Sequence, residues 1–236
     1  MVAELLAQLR QAPERAAILL DVDGTLAPIV PRPEDARVPP ETKAELERLV
    51  GRYALVACVS GRPSADAAAI VGVRELTYVG THGLELEPEA KEWAAALRGF
   101  AARVPWPVED KGLSVSFHYR GAPDEEAARA ELERVAAEAR AAGLTARFGR
   151  KVLELLPPIE ANKGTAIRRL LEERGLRRAL YAGDDTTDLD AFRALDTLER
   201  AVRVAVASAE GPPELRAAAD LVVDSPLELL TLLRKL

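Results

Sequence analysis

The chain has 236 residues, enough for one large domain or two small ones with a core of their own, and at 48% hydrophobic residues it is globular rather than disordered. Its net charge of -6 argues against a nucleic-acid or anionic-membrane partner, while leaving room for a phosphorylated small molecule, which answers to local charge. The single cysteine, Cys58, lies in the apolar run YALVACVS as a small buried residue, forms no internal disulfide and fits a reducing compartment.

Residues 2–11 carry Leu5, Leu6 and Leu9 at helical spacing. The first residues show no basic start leading into a long apolar core, and no apolar run reaches the ~18 residues of a membrane span, so a cytoplasmic protein is expected. An Arg-rich composition with Asn162 as the only asparagine, one Cys and one Met leans toward a heat-adapted source, a bias that high genomic GC also produces. The run Ile18-Leu19-Leu20 predicts a buried strand of a parallel sheet. It ends in Asp21, Val22, Asp23, Gly24 and Thr25, and strand alternation puts Asp21 and Asp23 on one face and Val22 on the other. Ligands of open α/β sheets bind outside the carboxyl ends of the strands. Two carboxylates there, before a glycine turn, suit a cation site and a nucleophile pair better than a core.

The Pro-rich loop PIVPRPEDARVPP takes an extended path. A helix follows over residues 41–51 with Leu46, Leu49 and Val50 inside, then a strand over 53–59 that ends at Ser60-Gly61-Arg62-Pro63. Pro63 opens a helix to about residue 70, and a strand over 76–79 ends at Gly80-Thr81-His82-Gly83. Strand–helix alternation predicts a parallel sheet covered by helices on both faces. The pattern then changes. Residues 90–104 read as a helix with Trp93, Leu97 and Phe100 on one side, GLSVSFHYR alternates as a strand, residues 124–142 form a helix, and 144–148 and 151–156 are two strands. This antiparallel block fits a small α+β unit, residues 87–159, inserted into a core made by residues 1–86 and 160–236. After Pro157-Pro158 the alternation resumes. Ala161-Asn162-Lys163-Gly164 leads into a helix over 165–173, and a strand over 179–182 ends in Gly183-Asp184-Asp185-Thr186-Thr187-Asp188. A helix, a strand over 201–206, a helix near 213–219, a short strand over 221–223 and a helix over 226–236 complete the chain.

Four features therefore fall just past a strand or at a helix start: Asp21 with Asp23, Ser60, Lys163, and Asp184 with Asp188. Singly, each has a plain structural role as an acidic turn, a helix N-cap, a solvated lysine, or a capped and wetted helix end. Together, in this order on one edge of one sheet, they make a site. Like charges ~4 Å apart cost about 4 kcal/mol at an effective dielectric near 20. Asp21, Asp23, Asp184, Asp185 and Asp188 would then protonate in part unless a cation sits among them. Hard oxygen donors with room for waters and a phosphate suit Mg²⁺. Lys163, the Ser60 hydroxyl and the amides at the helix start after Ser60 complete a phosphoryl site. One aspartate can attack phosphorus and carry it, and a second can protonate the leaving alcohol and later activate water. Asp21 suits the first role and Asp23 the second. NKGT has the wrong order for a nucleotide-phosphate loop, and there is no G-x-G-x-x-G.

DVDGT, the Ser60-Gly61-Arg62 turn, Lys163 and GDDTTD match in order the four motifs of the haloacid dehalogenase-like (HAD) phosphatases. The stretch between Ser60 and Lys163 leaves room for that superfamily's inserted cap of the second (C2) type. DVDGTLAPIV, VSGRP, GTHG, VEDKGLSVSFHYR, LELLPP…NKG and GDDTTDLDAF together resemble the trehalose-6-phosphate phosphatases, from residue 18 to about 192. The resemblance implies an α/β fold with a Rossmann-like parallel-sheet core and an α+β cap. It also implies Mg²⁺-dependent hydrolysis of trehalose 6-phosphate in trehalose biosynthesis, and a monomer is expected. Asp21 would be the nucleophile and Asp23 the acid/base. Mg²⁺ would be held by Asp21, the Asp23 carbonyl and Asp184, supported by Asp185 and Asp188. Ser60 and Lys163 would bind phosphoryl oxygens, with Thr25, Gly61, Arg62 and His82 as further substrate contacts. Glu109, Lys111, His118, Arg120 and Glu154 would grip the sugar, carboxylates accepting from hydroxyls and basic groups donating back. His118 and Arg120 alternate with Phe117 and Tyr119 and can equally face solvent, and His82 can equally shape its loop. Leu189 departs from the pattern, standing where the family commonly has an acidic residue. Sucrose-phosphate and mannosyl-3-phosphoglycerate phosphatases share this core and differ in the cap. A phospho-accepting signalling domain uses the same residue types, but Asp23, the late GDDTTD and the insert stand against it.

Overall fold

The computed structural model describes residues 2–30, 32–149, 151–207 and 211–236. It forms two compact units, Met1–Gly83 with Ala161–Leu236, and Leu84–Glu160. The first unit opens with α1 (Val2–Gln11), β1 (Ala17–Leu20), α2 (Pro40–Val50), β2 (Leu55–Val59), α3 (Ser64–Val71) and β3 (Thr77–Val79). The second contains α4 (Ala94–Ala101), β4 (Glu109–Asp110), β5 (Val115–His118), α5 (Glu125–Ala141), β6 (Thr145–Gly149) and β7 (Val152–Leu156). The chain then returns to the first unit with α6 (Lys163–Glu173), β8 (Arg178–Gly183), α7 (Asp188–Ala194), β9 (Arg200–Val206), α8 (Pro213–Ala218), β10 (Leu221–Val223) and α9 (Pro226–Leu233). The Leu5 side chain and Pro31 of the Pro-rich loop lie outside the described residues.

The first unit is built on a six-stranded sheet in the order β10-β9-β8-β1-β2-β3, parallel throughout. β1 and β2 are buried along their whole length, as strands covered on both faces must be. Ile18, Leu20 and Val22 turn into one core layer with Leu46 and Leu49 of α2, Cys58 of β2 and Leu229 and Leu233 of α9. Burial pushes the Cys58 thiol up, so it is an inert member of that core. The alternation leaves Asp21 to the opposite face. From β1 the chain fills the sheet in one direction through β2 and β3, and later in the other through β8, β9 and β10. The strand order thus reverses between β1 and β8, which pair with Leu20 opposite Ala182. A crevice opens at the carboxyl end of such a reversal. It receives the DVDGT turn after β1 and the GDDTTD turn after β8.

The second unit is a four-stranded antiparallel sheet in the order β4-β5-β7-β6. One face, Val115, Phe117, Leu153 and Leu155, packs against Leu97 and Phe100 of α4 and Leu132, Ala136 and Ala139 of α5. With a period of two, Ser114, Ser116, His118 and Glu154 fall on the other. The helix expected over residues 90–104 is shorter. Pro88–Trp93 winds as a 3-10 helix entered at a proline, and regular α-helix covers only Ala94–Ala101. β4, two residues long, is too short to leave an alternation in the sequence. Among the described residues, no helix is long and apolar enough to cross a membrane.

Candidate active site

The turn after β1 is closed by Gly24 N donating to the Ala27 carbonyl at 2.8 Å, and by Leu26 N and Ala27 N donating to Val22, both at 2.9 Å. Gly24 has φ +79°, and a Cβ there would collide with the Asp184 carboxylate, so only glycine lets the two strand ends approach. Carboxylate oxygens of Asp21, Asp184 and Asp188 lie within 4.8 Å of one another, and all three residues are buried. Lys163, the first residue of α6, is 3% exposed; its Nζ donates to Asp21 Oδ1 at 2.8 Å and to Asp188 Oδ1 at 2.6 Å. Asn162 caps that helix by a capping box with Thr165, accepting from Thr165 N at 2.9 Å. A Cβ on Gly164 would collide with the carbonyl of Asp190, so α6 and α7 meet at a bare backbone, with Lys163 beside Asp188.

Asp188 is fully buried and satisfied. Besides Lys163, its Oδ1 accepts from the Tyr181 hydroxyl at 2.6 Å, and its Oδ2 accepts from Asp184 N and Asp185 N, both at 2.8 Å. The carboxylate lies over Gly183, where a Cβ would collide with it, and Tyr181 projects from the same face of β8. With its oxygens taken, Asp188 holds Lys163 and the GDD turn in place, leaving Asp21 and Asp184 as the better cation ligands. Burial pushes the Asp21 carboxyl up to about 7; the Lys163 charge pulls it down and Asp188 and Asp23 push it up. Burial alone would lower the Lys163 ammonium, but the charges and hydrogen bonds of Asp188 and Asp21 outweigh it and hold it above the lysine range. Burial, then the Asp188 and Asp21 charges, put the Tyr181 phenol well above its ordinary value. A buried acid cluster with one lysine for compensation, all hard oxygen donors, fits a divalent cation such as Mg²⁺.

The remaining predicted residues divide. Thr25 is buried, its Oγ1 3.5 Å from Asp21 Oδ2. The Asp23 carboxylate turns to Arg62, accepting from Nε at 2.6 Å and Nη2 at 2.7 Å. Ser60 is buried and does not cap α3, whose N-cap is Pro63; its Oγ accepts from Arg62 N at 3.2 Å. His82 N donates to the Ser60 carbonyl at 2.9 Å and Thr81 N to that of Arg62 at 2.8 Å. Thr81 and His82 have φ of +48° and +54°, and the His82 ring leaves 2.7 Å for any Cβ at Gly61. Asp185 is not brought to the acid cluster: its Oδ1 accepts from Thr186 N at 2.7 Å and faces its own turn. Tyr181 went unnoticed in the sequence because a tyrosine in an otherwise aliphatic strand reads as core.

In the second unit, His118 Nε2 meets Glu109 Oε2 at 2.7 Å, and Lys111 Nζ meets Glu154 Oε1 at 3.3 Å and Glu109 Oε2 at 4.0 Å. Ser114, buried and not singled out in the sequence, donates to Glu154 Oε1 at 3.1 Å. Arg120 lies in the turn beyond β5, which ends at His118, and is exposed.

A profile of the trehalose-phosphatases matches residues 19–101 and 106–226. A trehalose-phosphate phosphatase of Mycobacterium ulcerans is 36% identical over 207 residues, which are 77% of this chain and 52% of that protein. The chain spans about half the length of the curated relatives it matches. Among solved structures, a trehalose-6-phosphate phosphatase related protein superposes with a TM-score of 0.72 at 26% identity, covering 92% of this chain and 95% of the other. A haloacid dehalogenase-like hydrolase from Bacteroides thetaiotaomicron, 17% identical with a TM-score of 0.63 over 93% and 98% of the two chains, shares the fold. A parallel sheet reversing between β1 and β8, two acidic turns at that reversal and a sequence match across both units point one way: the chain belongs to the trehalose-phosphatase family.

Proposed function

We propose that this chain is a Mg²⁺-dependent phosphatase that converts trehalose 6-phosphate to trehalose and phosphate, as a cytoplasmic monomer, through an aspartyl phosphate on Asp21. The observation that carries the reading is the buried Lys163 ammonium between Asp21 and Asp188, beside the end of β1. It orients one Asp21 oxygen and sets a positive charge where a phosphoryl group would arrive. An Asp21 oxygen attacks phosphorus, the bond from phosphorus to the sugar oxygen breaks, and Asp23 gives that oxygen its proton. Water then attacks the phosphorus and yields its proton to Asp23; the bond to Asp21 breaks and both aspartates are restored. Lys163 and Ser60 hold phosphoryl oxygens, with Thr25, Gly61 and His82 lining the approach. Asp21, Asp184 and the Asp23 carbonyl would hold Mg²⁺, whose charge would offset that of the phosphoryl oxygens. Glu109, Lys111, His118 and Glu154, with Arg120 beyond them, grip the sugar.

The names of the relatives support trehalose 6-phosphate as the ester. Phosphate release from trehalose 6-phosphate, sucrose 6-phosphate, mannosyl-3-phosphoglycerate and glucose 6-phosphate with Mg²⁺ tests it. Trehalose 6-phosphate should be turned over fastest, and Asp21→Asn should lose at least about 1,000-fold while still binding the ester. Normal turnover by Asp21→Asn would overturn the mechanism. A flat panel would overturn the substrate, and a long-lived phosphoprotein without phosphate release would return the signalling-domain reading.

A further inference from the structure

Asp23 is gripped fork to fork by Arg62, whose Nε and Nη2 reach the two carboxylate oxygens at 2.6 and 2.7 Å. We propose that Arg62 is a positioning residue for Asp23: its guanidinium fixes the rotamer from which Asp23 serves the departing alcohol, so that Arg62 governs the leaving-group step. The inference rests on the phosphatase reading and deepens it. The Asp23 side chain is 34% exposed and lies beyond β1, so no packing layer holds it. A paired guanidinium constrains both the distance and the plane of a carboxylate, which a single donor does not.

Arg62 is braced in turn. Its N donates to Ser60 Oγ and its carbonyl accepts from Thr81 N, while His82 N holds the Ser60 carbonyl. Those two amides reach the loop only because Thr81 and His82 sit in succession in the left-handed region. For a β-branched threonine that conformation is disfavoured, and such strain persists where the surroundings over-determine it. The strained pair thus fixes the backbone from which Arg62 reaches Asp23. The resemblance assigns the same guanidinium to substrate; a contact with the phosphoryl group would cost both esters alike, and a contact with the sugar would weaken product inhibition by trehalose, which a role in positioning Asp23 leaves unchanged.

The test compares kcat/KM for trehalose 6-phosphate, whose alkoxide needs a proton to leave, with that for p-nitrophenyl phosphate, whose phenolate does not. kcat/KM runs to the first irreversible step, loss of the alcohol, so the later hydrolysis does not blur it. Arg62→Gln should lower kcat/KM for trehalose 6-phosphate roughly tenfold to 100-fold and for p-nitrophenyl phosphate less than about threefold, within the range that acid–base catalysis supplies. Arg62→Lys keeps the charge and loses the fork, and should show the same selective loss; it carries the test alone if Arg62→Gln does not fold. Equal losses on both esters, or full rescue by lysine, overturn the proposal. Wild-type protein that hydrolyses neither ester overturns the phosphatase reading and this inference with it.

Discussion

Lys163 and Asp188 hold each other in place out of water, so neither can be removed alone. Lys163→Met leaves Asp21 and Asp188 buried without a counter-charge and should cost about 3–5 kcal/mol of unfolding free energy in urea near neutral pH. The double variant Lys163→Met/Asp188→Asn should recover part of that loss, and strict additivity would show that the two do not act as a pair. Tyr181→Phe removes one of the four donors to Asp188 and should cost about 1–3 kcal/mol, measured the same way. Asp21 and Lys163 were legible because strand ends and helix starts with charged residues are unusual in a core. Tyr181 was not, since its hydroxyl matters only once the chain returns over β8 at Asp188. Residue type alone does not separate Asp185 from Asp184, which only the resemblance ranked: adjacent acids diverge through the local turn, which points one at the crevice and the other at Thr186.

The elements that shape the crevice are helices meeting without side chains between them. Gly164→Ala would drive a methyl into the Asp190 carbonyl, a backbone atom that cannot swing aside. The helices must part, and a loss of about 1–3 kcal/mol in thermal or urea unfolding is expected, with reduced turnover because Lys163 moves with α6. Unchanged stability would show that α6 and α7 slide freely. The parallel strands were legible as apolar runs, and the long helix α5 by its period and its Asp124 cap. The limits of β5 were not. Alternation runs on through Tyr119 and Arg120, but Tyr119 N turns to the Lys151 carbonyl at 3.0 Å, where Lys151 itself has φ +58°, and the ladder stops.

For the molecule as a whole, acidity and the proposed cation binding would be linked. The Asp21 carboxyl stands at about 7 in the folded chain against 3.8 for the free side chain. The folded state therefore binds a proton that the unfolded state has released, and the stability drawn from this group falls as pH rises from about 4 to about 7. A divalent cation bound there would remove the penalty, with no proton to displace above 7 and one to displace below. Thermal unfolding should therefore show a larger Mg²⁺-induced rise in Tm at about pH 8 than at about pH 5.5, the affinity weakening up to tenfold per pH unit below 7. Equal shifts at both values would contradict it. The Asn162 cap bears on the same balance. An aspartate there would accept the same amide hydrogen bonds and suit the positive helix end better. It would also set a further carboxylate next to a lysine already shared between two, so Asn162→Asp should hold or raise Tm while lowering kcat/KM. The chain's lone asparagine thus stands where neutrality is worth more than firmness: a helix start left electrically unspent for the dianion of the proposed ester.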